Sequence, residues 1–236
     1  MPQPASPLTV VLVHGAWADA SSWSRVIPLL QAKGLRLVTA ALPLTSLADD
    51  VAATKRALAG VDGPILLVAH SWGGAVITEA GMDPKVEGLV YVAGFANKEG
   101  QSCGELVNAY PTTPALGSFV DDGHGFLRQT EAGWIENVAP DLPAAEAKIL
   151  AVIQTPFAAS AFNDKVGAAA WRTKPTWFAV SANDRVVNVQ MQHDFAAQMS
   201  AKTTILPSSH VSLLSHPAEV ADLIGEAADA VMAKAA

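Results

Sequence analysis

The chain has 236 residues, half of them hydrophobic and 16% charged, with a formal net charge of −7. That composition suits a large, well-buried core, while the acidic balance and the singly scattered Lys and Arg exclude a nucleic-acid footprint and a basic membrane-binding face. No apolar run reaches the roughly 20 residues needed to cross a bilayer, and the single cysteine, Cys103, excludes an intrachain disulfide and reads as a free structural thiol.

The opening MPQPASP has no basic region and no apolar stretch of a leader, so it reads as a disordered tail. Residues 8–13 (LTVVLV) are a short β-branched apolar run, a strand that ends at HGAW. Residues 21–34 carry Trp23, Val26, Ile27 and Leu30 at helical spacing and stop at Gly34, which predicts a helix. A strand at 35–40 follows, then a helix over 46–60 with Ser46 as N-cap and Gly60 as the stop. Further on come a strand at 64–69, a helix at 73–81 and a strand at 88–94. Strands apolar on both faces, alternating with helices, predict a parallel sheet covered on both sides.

That rhythm stops between 97 and 170, where Pro, Gly and polar residues interleave with Tyr110, Phe119, Phe126, Trp134, Phe157 and Phe162. Only residues 143–153 (PAAEAKILAVI) read as a good amphipathic helix there. Alternation resumes with a strand at 174–182, a helix near 188–200, the strand TTILP and a helix over 217–235. The predicted class is α/β, doubly wound, with a mostly parallel sheet of about six strands. Residues 1–96 and 171–236 form its core, and 97–170 a helical insertion.

The chemistry gathers at strand ends. Ser71, in ILLVAHSWGG, sits where an apolar strand turns sharply into a helix, the edge of a parallel sheet where ligands bind. Such a turn strains its central residue and needs small neighbours two before and two after, here Ala69 and Gly73. The pattern is similar to the nucleophile elbow G-x-S-x-G, with Ala69 in place of the first Gly. Taken alone, a serine at this position has a helix N-cap as its lesser alternative reading. A serine hydroxyl becomes a nucleophile only with a base held by an acid. Asp184 follows the strand in AVSANDRVV, and His210 follows the last strand in ILPSSHVSLLSHP. Ser, Asp and His thus come in the order of a hydrolase triad, each at a strand's C-terminal end. His216 reads as a capping residue, His193 as outward-facing, and His124, Asp164 and Asp194 as off the strand ends. Glu99 is the only acid after the fourth strand.

The motifs LVHGAW, AHSWGG, YVAGFA, SANDRVV and SHVSLLSHP together resemble the α/β-hydrolase superfamily, in its small esterase and hydroxynitrile-lyase-like branch, over residues 8 to about 232. The resemblance implies a Ser71–Asp184–His210 triad and an oxyanion hole made by the amides of Ala16 and Trp72, with His14 bracing its loop rather than moving protons. Gly15, Trp17, His70 and Phe95 are expected to border the substrate pocket. In this branch the insertion is a helical cap, and about half of its aromatics would simply be the cap's own core. Cyanohydrin-cleaving members carry a lysine after the catalytic histidine and a threonine beside the oxyanion loop's histidine. Val211 and Gly15 stand there instead, which leaves ester hydrolysis.

The expectation is therefore a serine esterase for a small or medium apolar ester. It needs no metal or organic cofactor, binds no nucleic acid and acts as a monomer or homodimer. The expected place is the cytoplasm, or outside it if a signal peptide has been removed. A cofactor-free perhydrolase with the same triad is the rival enzyme, and a ligand receptor that keeps the triad is the rival of another class.

Overall fold

The computed structural model describes residues 7–235, so most of the leading MPQPASP lies outside the described residues. Its centre is a six-stranded, fully parallel sheet. The strands are β1 (Thr9–Val13), β2 (Arg36–Ala40), β3 (Ile65–His70), β4 (Val86–Val92), β8 (Thr176–Ser181) and β9 (Lys202–Leu206), in the spatial order β2-β1-β3-β4-β8-β9. β1, β3 and β8 are buried along their whole length. Burial on both faces is why they read as unbroken apolar runs rather than alternating ones.

The chain leaves β1 for β2 on one side, then crosses back to β3 on the other. Right-handed crossovers put the intervening helices α1 (Ile27–Ala32) and α2 (Leu47–Ala59) on opposite faces. The helix α3 (Gly73–Ala80) packs beside α2, and the last helix, α9 (Pro217–Ala235), which follows the single turn α8 (Ser212–Ser215), packs beside α1. The reversal between β1 and β3 leaves a crevice beyond their carboxyl ends, the usual ligand position in such sheets.

Two departures from the sequence pattern have local causes. The helix expected over 21–34 is split into a 3-10 turn at Ala20–Trp23 and α1, with Pro28 in the first turn of α1. Proline lacks the amide an interior turn requires, so a helix starts at it rather than passing through it. Trp23, Val26 and Leu30 are nonetheless buried together, as their spacing implies.

The segment between β4 and β8 is less helical than its composition suggests. It holds α4 (Cys103–Ala109), opened by a reciprocal Ser102–Glu105 capping box, the short turn α5 (Glu131–Gly133) and α6 (Ala144–Ile153). Among them lies a three-stranded antiparallel sheet of β5 (Phe119–Asp121), β6 (Phe126–Gln129) and β7 (Phe157–Ala158). Strands of two to four residues are too short to show a period in sequence. Cys103 is buried beside Asn97, and burial pushes its thiol up to about 12.

Candidate active site

Four loops meet at the carboxyl edge of the sheet. β1 runs into His14–Trp17, β3 into Ser71 and Trp72, β8 into Asp184 and β9 into His210. Ser71 has φ +52°, the left-handed region that costs a non-glycine residue energy. The turn is held by the Ser71 amide, which donates to Val92 O at 3.1 Å, and by the Ser71 carbonyl, which accepts from Gly74 N and Phe95 N. Glycine is needed nearby because backbone passes close. A Cβ at Gly73 would stand 2.6 Å from His14 O, and one at Gly15 would stand 2.8 Å from Ser71 Cβ. Ala69, where the elbow pattern has glycine, fits here fully buried.

The His210 imidazole lies between the serine and the aspartate. Its Nε2 is 2.9 Å from Ser71 Oγ and its Nδ1 is 2.8 Å from Asp184 Oδ2. Asp184 is further held by Val186 N and Val187 N on Oδ1, and by Gln192 Nε2 on Oδ2 at 2.8 Å. All three side chains are buried. The other candidates lie elsewhere: Glu99 and His124 are exposed, Asp164 Oδ2 accepts from Leu47 N, Asp194 Oδ2 accepts from Tyr110, and His216 sits beside Ser215 at the start of α9.

His14 is neutral in a defined tautomer. The Leu42 amide donates to its Nε2, so Nδ1 carries the proton and donates to Gly15 O at 2.9 Å. Burial lowers its pKa. His70 is held well below the usual imidazole range, first by burial and then by the neighbouring His210. Its Nε2 faces His210 O at 2.9 Å, so the His70 ring supports the backbone of His210. Among the described residues, neither the Ala16 amide nor the Trp72 amide has an acceptor, and both residues line the cavity at Ser71.

Two cavities open beside this cluster. One, of about 200 Å³, is lined by Ser71, Trp72, Phe95, Val107, Phe119 and Phe162 among others. The second, of about 230 Å³, is lined by His70, His210, Trp134, Val138, Leu150 and Leu214 among others. Ala16, Trp17 and Val186 belong to both walls. Gly15 lines neither, lying instead against Ser71 and His70. No group of three or more His, Cys, Asp or Glu among the described residues could hold a metal ion.

Two buried polar residues escaped the sequence reading. Asp50, on α2, accepts from the Trp72 indole and from the Leu44 amide. Gln192, on α7 (Val189–Gln198), holds Asp184. Gln192 left one signal, a polar side chain on the helix face that buries Met191 and Phe195. Asp50 left the same signal, a polar side chain on the face of α2 that buries Leu47, Val51 and Leu58, but as one of two adjacent aspartates near a helix start it reads as an ordinary first-turn acid.

Residues 10–223 match the sequence profile of the alpha/beta hydrolase family. The chain belongs to that family. A pyrethroid hydrolase from Sphingobium wenxiniae is 28% identical to this alpha/beta hydrolase, across 94% of this chain and 88% of its own length. Among solved structures, a pyrethroid hydrolase from Sphingobium faniae superposes with a TM-score of 0.78 at 23% identity, covering 94% of this chain and 98% of its own. Polyneuridine aldehyde esterase superposes at 0.77 with 17% identity, over 92% and 97%. At such identities the structural matches establish the alpha/beta-hydrolase fold. No helix among the described residues is long and apolar enough to cross a membrane.

Proposed function

We propose that this protein is a serine hydrolase that cleaves neutral carboxylic esters through an acyl-enzyme. The observation that carries the reading is the buried relay from Ser71 Oγ through His210 to Asp184, with both contacts under 3 Å. The esterase and pyrethroid hydrolase names of the similar proteins agree with it.

In this cycle His210 carries its proton on Nδ1, directed at the Asp184 carboxylate, and Nε2 is free to take the Ser71 proton. Ser71 Oγ bonds to the ester carbonyl carbon, and the negative charge moves onto the carbonyl oxygen. The Ala16 and Trp72 amides are the donors for that oxyanion, which accounts for their lacking acceptors in the protein. The alkoxy oxygen leaves with the proton from His210. Water, deprotonated by His210, then attacks the acyl carbon, releases the acid and returns the proton to Ser71. Asp184 stays ionised and orients the imidazole. The surroundings suit an uncharged substrate, because the cavity at Ser71 is lined mostly by apolar groups and by no charged side chain.

A fluorophosphonate probe should label Ser71 in the wild type, as located by peptide mass spectrometry, and should leave Ser71→Ala unlabelled. Turnover of p-nitrophenyl butyrate should fall about 10⁴-fold or more in that variant with the fold retained. Retained turnover would place the nucleophile elsewhere.

A further inference from the structure

We infer that Asp141, from the segment between β4 and β8, is a positioning residue for His210, so that docking of this segment on the sheet edge completes the relay. The inference rests on the serine-esterase reading and adds a residue to its machinery.

The loop after β9 carries His210 on backbone that is held residue by residue. Ser208 O accepts from Asn183 N at 3.0 Å, and Ser208 Oγ donates to Ser181 Oγ at 3.1 Å, so the end of β8 holds the first position. His210 O is held by His70, at the end of β3. Between them, Ser209 is held from outside the sheet. Its amide donates to Asp141 Oδ2 at 2.7 Å and its hydroxyl donates to Asp141 Oδ1, while Val138 O lies 3.2 Å from the same hydroxyl. Ser209 is buried and Asp141 is exposed, so a carboxylate at the surface reaches inward with both oxygens on one residue.

Position at Ser209 is position at His210. Adjacent Cα atoms are a fixed distance of about 3.8 Å apart, so a shift of one residue is passed to the next. The His210 ring has to meet Ser71 Oγ at 2.9 Å and Asp184 Oδ2 at 2.8 Å at the same time. Hydrogen bonds to a carboxylate are charge-assisted and stronger than neutral ones, and two of them on one residue fix its orientation as well as its place.

Other contacts keep the segment in place when Asp141 is truncated. Trp134, Val138 and Leu142 are buried in the core. From α6, Glu146 accepts from Arg25 Nη2 with both oxygens at 2.7 Å, and Arg25 Nη1 donates at 2.6 Å to Leu214 O, in α8. Loss of the Asp141 carboxylate is therefore local to Ser209. Movement of the whole segment would instead reshape the cavity that Trp134, Val138 and Leu150 line. The first lowers kcat alone, and the second changes KM as well.

The test measures turnover of p-nitrophenyl butyrate and the rate of fluorophosphonate labelling at Ser71, with kcat taken per labelled site. Asp141→Ala should lower kcat about 10- to 100-fold and slow labelling in parallel, with KM within about threefold. Asp141→Asn should restore kcat to within about threefold of wild type. Its carbonyl oxygen accepts from Ser209 N, and its Nδ2 donates to Ser209 Oγ, whose own proton turns to Val138 O. Ser209→Ala keeps the amide tie and loses the hydroxyl one, and should lower kcat about three- to tenfold. An unchanged kcat in either alanine variant overturns the assignment, and Ser209→Ala decides it even where Asp141→Ala fails to fold. An asparagine variant as poor as alanine also overturns it, since charge rather than the tie would then be the cause. A fall in kcat matched by a rise in KM does the same, as the mark of a displaced segment. A wild type with no ester turnover and no label on Ser71 removes the serine-esterase reading, and the assignment falls with it. Normal wild-type turnover with indifferent variants removes the assignment alone.

Discussion

The Asp50 carboxylate accepts a hydrogen bond from the Trp72 indole at 2.7 Å, and both side chains are buried. Its second oxygen accepts from Leu44 N at 2.8 Å, and Leu44 itself is held at φ +60°. Two residues earlier in the same loop, Leu42 N donates to His14, which in turn holds Gly15 O. One stretch of backbone, 42–44, therefore braces both amides proposed for the oxyanion hole, Ala16 through His14 and Trp72 through Asp50. Asp50→Asn keeps the volume but turns one acceptor into a donor facing a donor. A displaced oxyanion donor costs transition-state stabilisation rather than substrate binding. We expect kcat to fall about 10- to 100-fold with KM within about threefold. If the effect runs through the indole, Trp72→Phe should behave alike, and the double variant should be little worse than the poorer single one.

The same carboxyl gives a pH signature. Burial raises the Asp50 pKa to about 6, against the opposing pull of the Trp72 and Leu44 donors. A carboxyl whose pKa is raised on folding binds its proton more tightly when folded. Its contribution to stability is thus full below the unfolded value of about 4 and lost as pH rises through about 6. His14 and His70 have the opposite sign, since their lowered values weaken the fold as pH falls below about 6.5, but they are common to wild type and variant. The stability of the wild type relative to Asp50→Asn should therefore increase by about 1 kcal/mol between pH 7.5 and pH 5. Urea unfolding of both proteins at the two pH values measures it. A difference that stays flat, or shrinks towards pH 5, would contradict the raised pKa.

What could be read without coordinates follows from length scale. The strands β1, β3 and β8 were legible because they are runs of five or six mostly apolar residues buried along their whole length, and β4 is buried at all but Glu87. β2 and β9, at the sheet edges, are more polar and only partly buried. Ser71, Asp184 and His210 were legible because each follows the carboxyl end of a strand, so their order along the chain also set them along one sheet edge. Residues 97–170 were not, since β5, β6 and β7 are shorter than any period. α6 also turns Ile149, Val152 and Ile153 outward, against its amphipathic pattern. The contacts of Asp50 and Gln192 depend on where α2 and α7 dock, which no local pattern specifies.

Gly15 offers a separate test of how tightly the loop after β1 presses on the serine turn. A methyl at Gly15 would meet Ser71 Cβ at 2.8 Å and His70 Nδ1 at 3.0 Å. Neither neighbour can yield easily, because Ser71 is fixed in a strained turn and His70 is tied to His210 O. Gly15→Ala should therefore cost about 1–3 kcal/mol of stability. It should slow fluorophosphonate labelling of Ser71 by about 100-fold, as expected for a displacement of about 1 Å at the reacting centre. Thermal melting and labelling rates measured on one preparation separate the two effects, and normal labelling in a folded variant would show that the loop yields.

Gln192 tests the acid end of the relay. Its Nε2 donates to Asp184 Oδ2 at 2.8 Å and to Val187 O at 3.1 Å, and its Oε1 accepts from Ser181 N at 3.0 Å. Gln192→Leu strips one donor from Asp184 and leaves the Ser181 amide and the Val187 carbonyl buried without that partner. Each such orphan costs about 1–3 kcal/mol, so urea unfolding should show a loss of a few kcal/mol. Asp184 keeps Val186 N, Val187 N and His210, and the carboxylate remains but with one oxygen less constrained. Per labelled active site, kcat should drop about tenfold while KM changes less than about threefold, because orientation of the imidazole matters most in the transition state. An unchanged kcat per labelled site would mean that the backbone amides alone orient Asp184. The glutamine would then serve only the packing of α7 on β8.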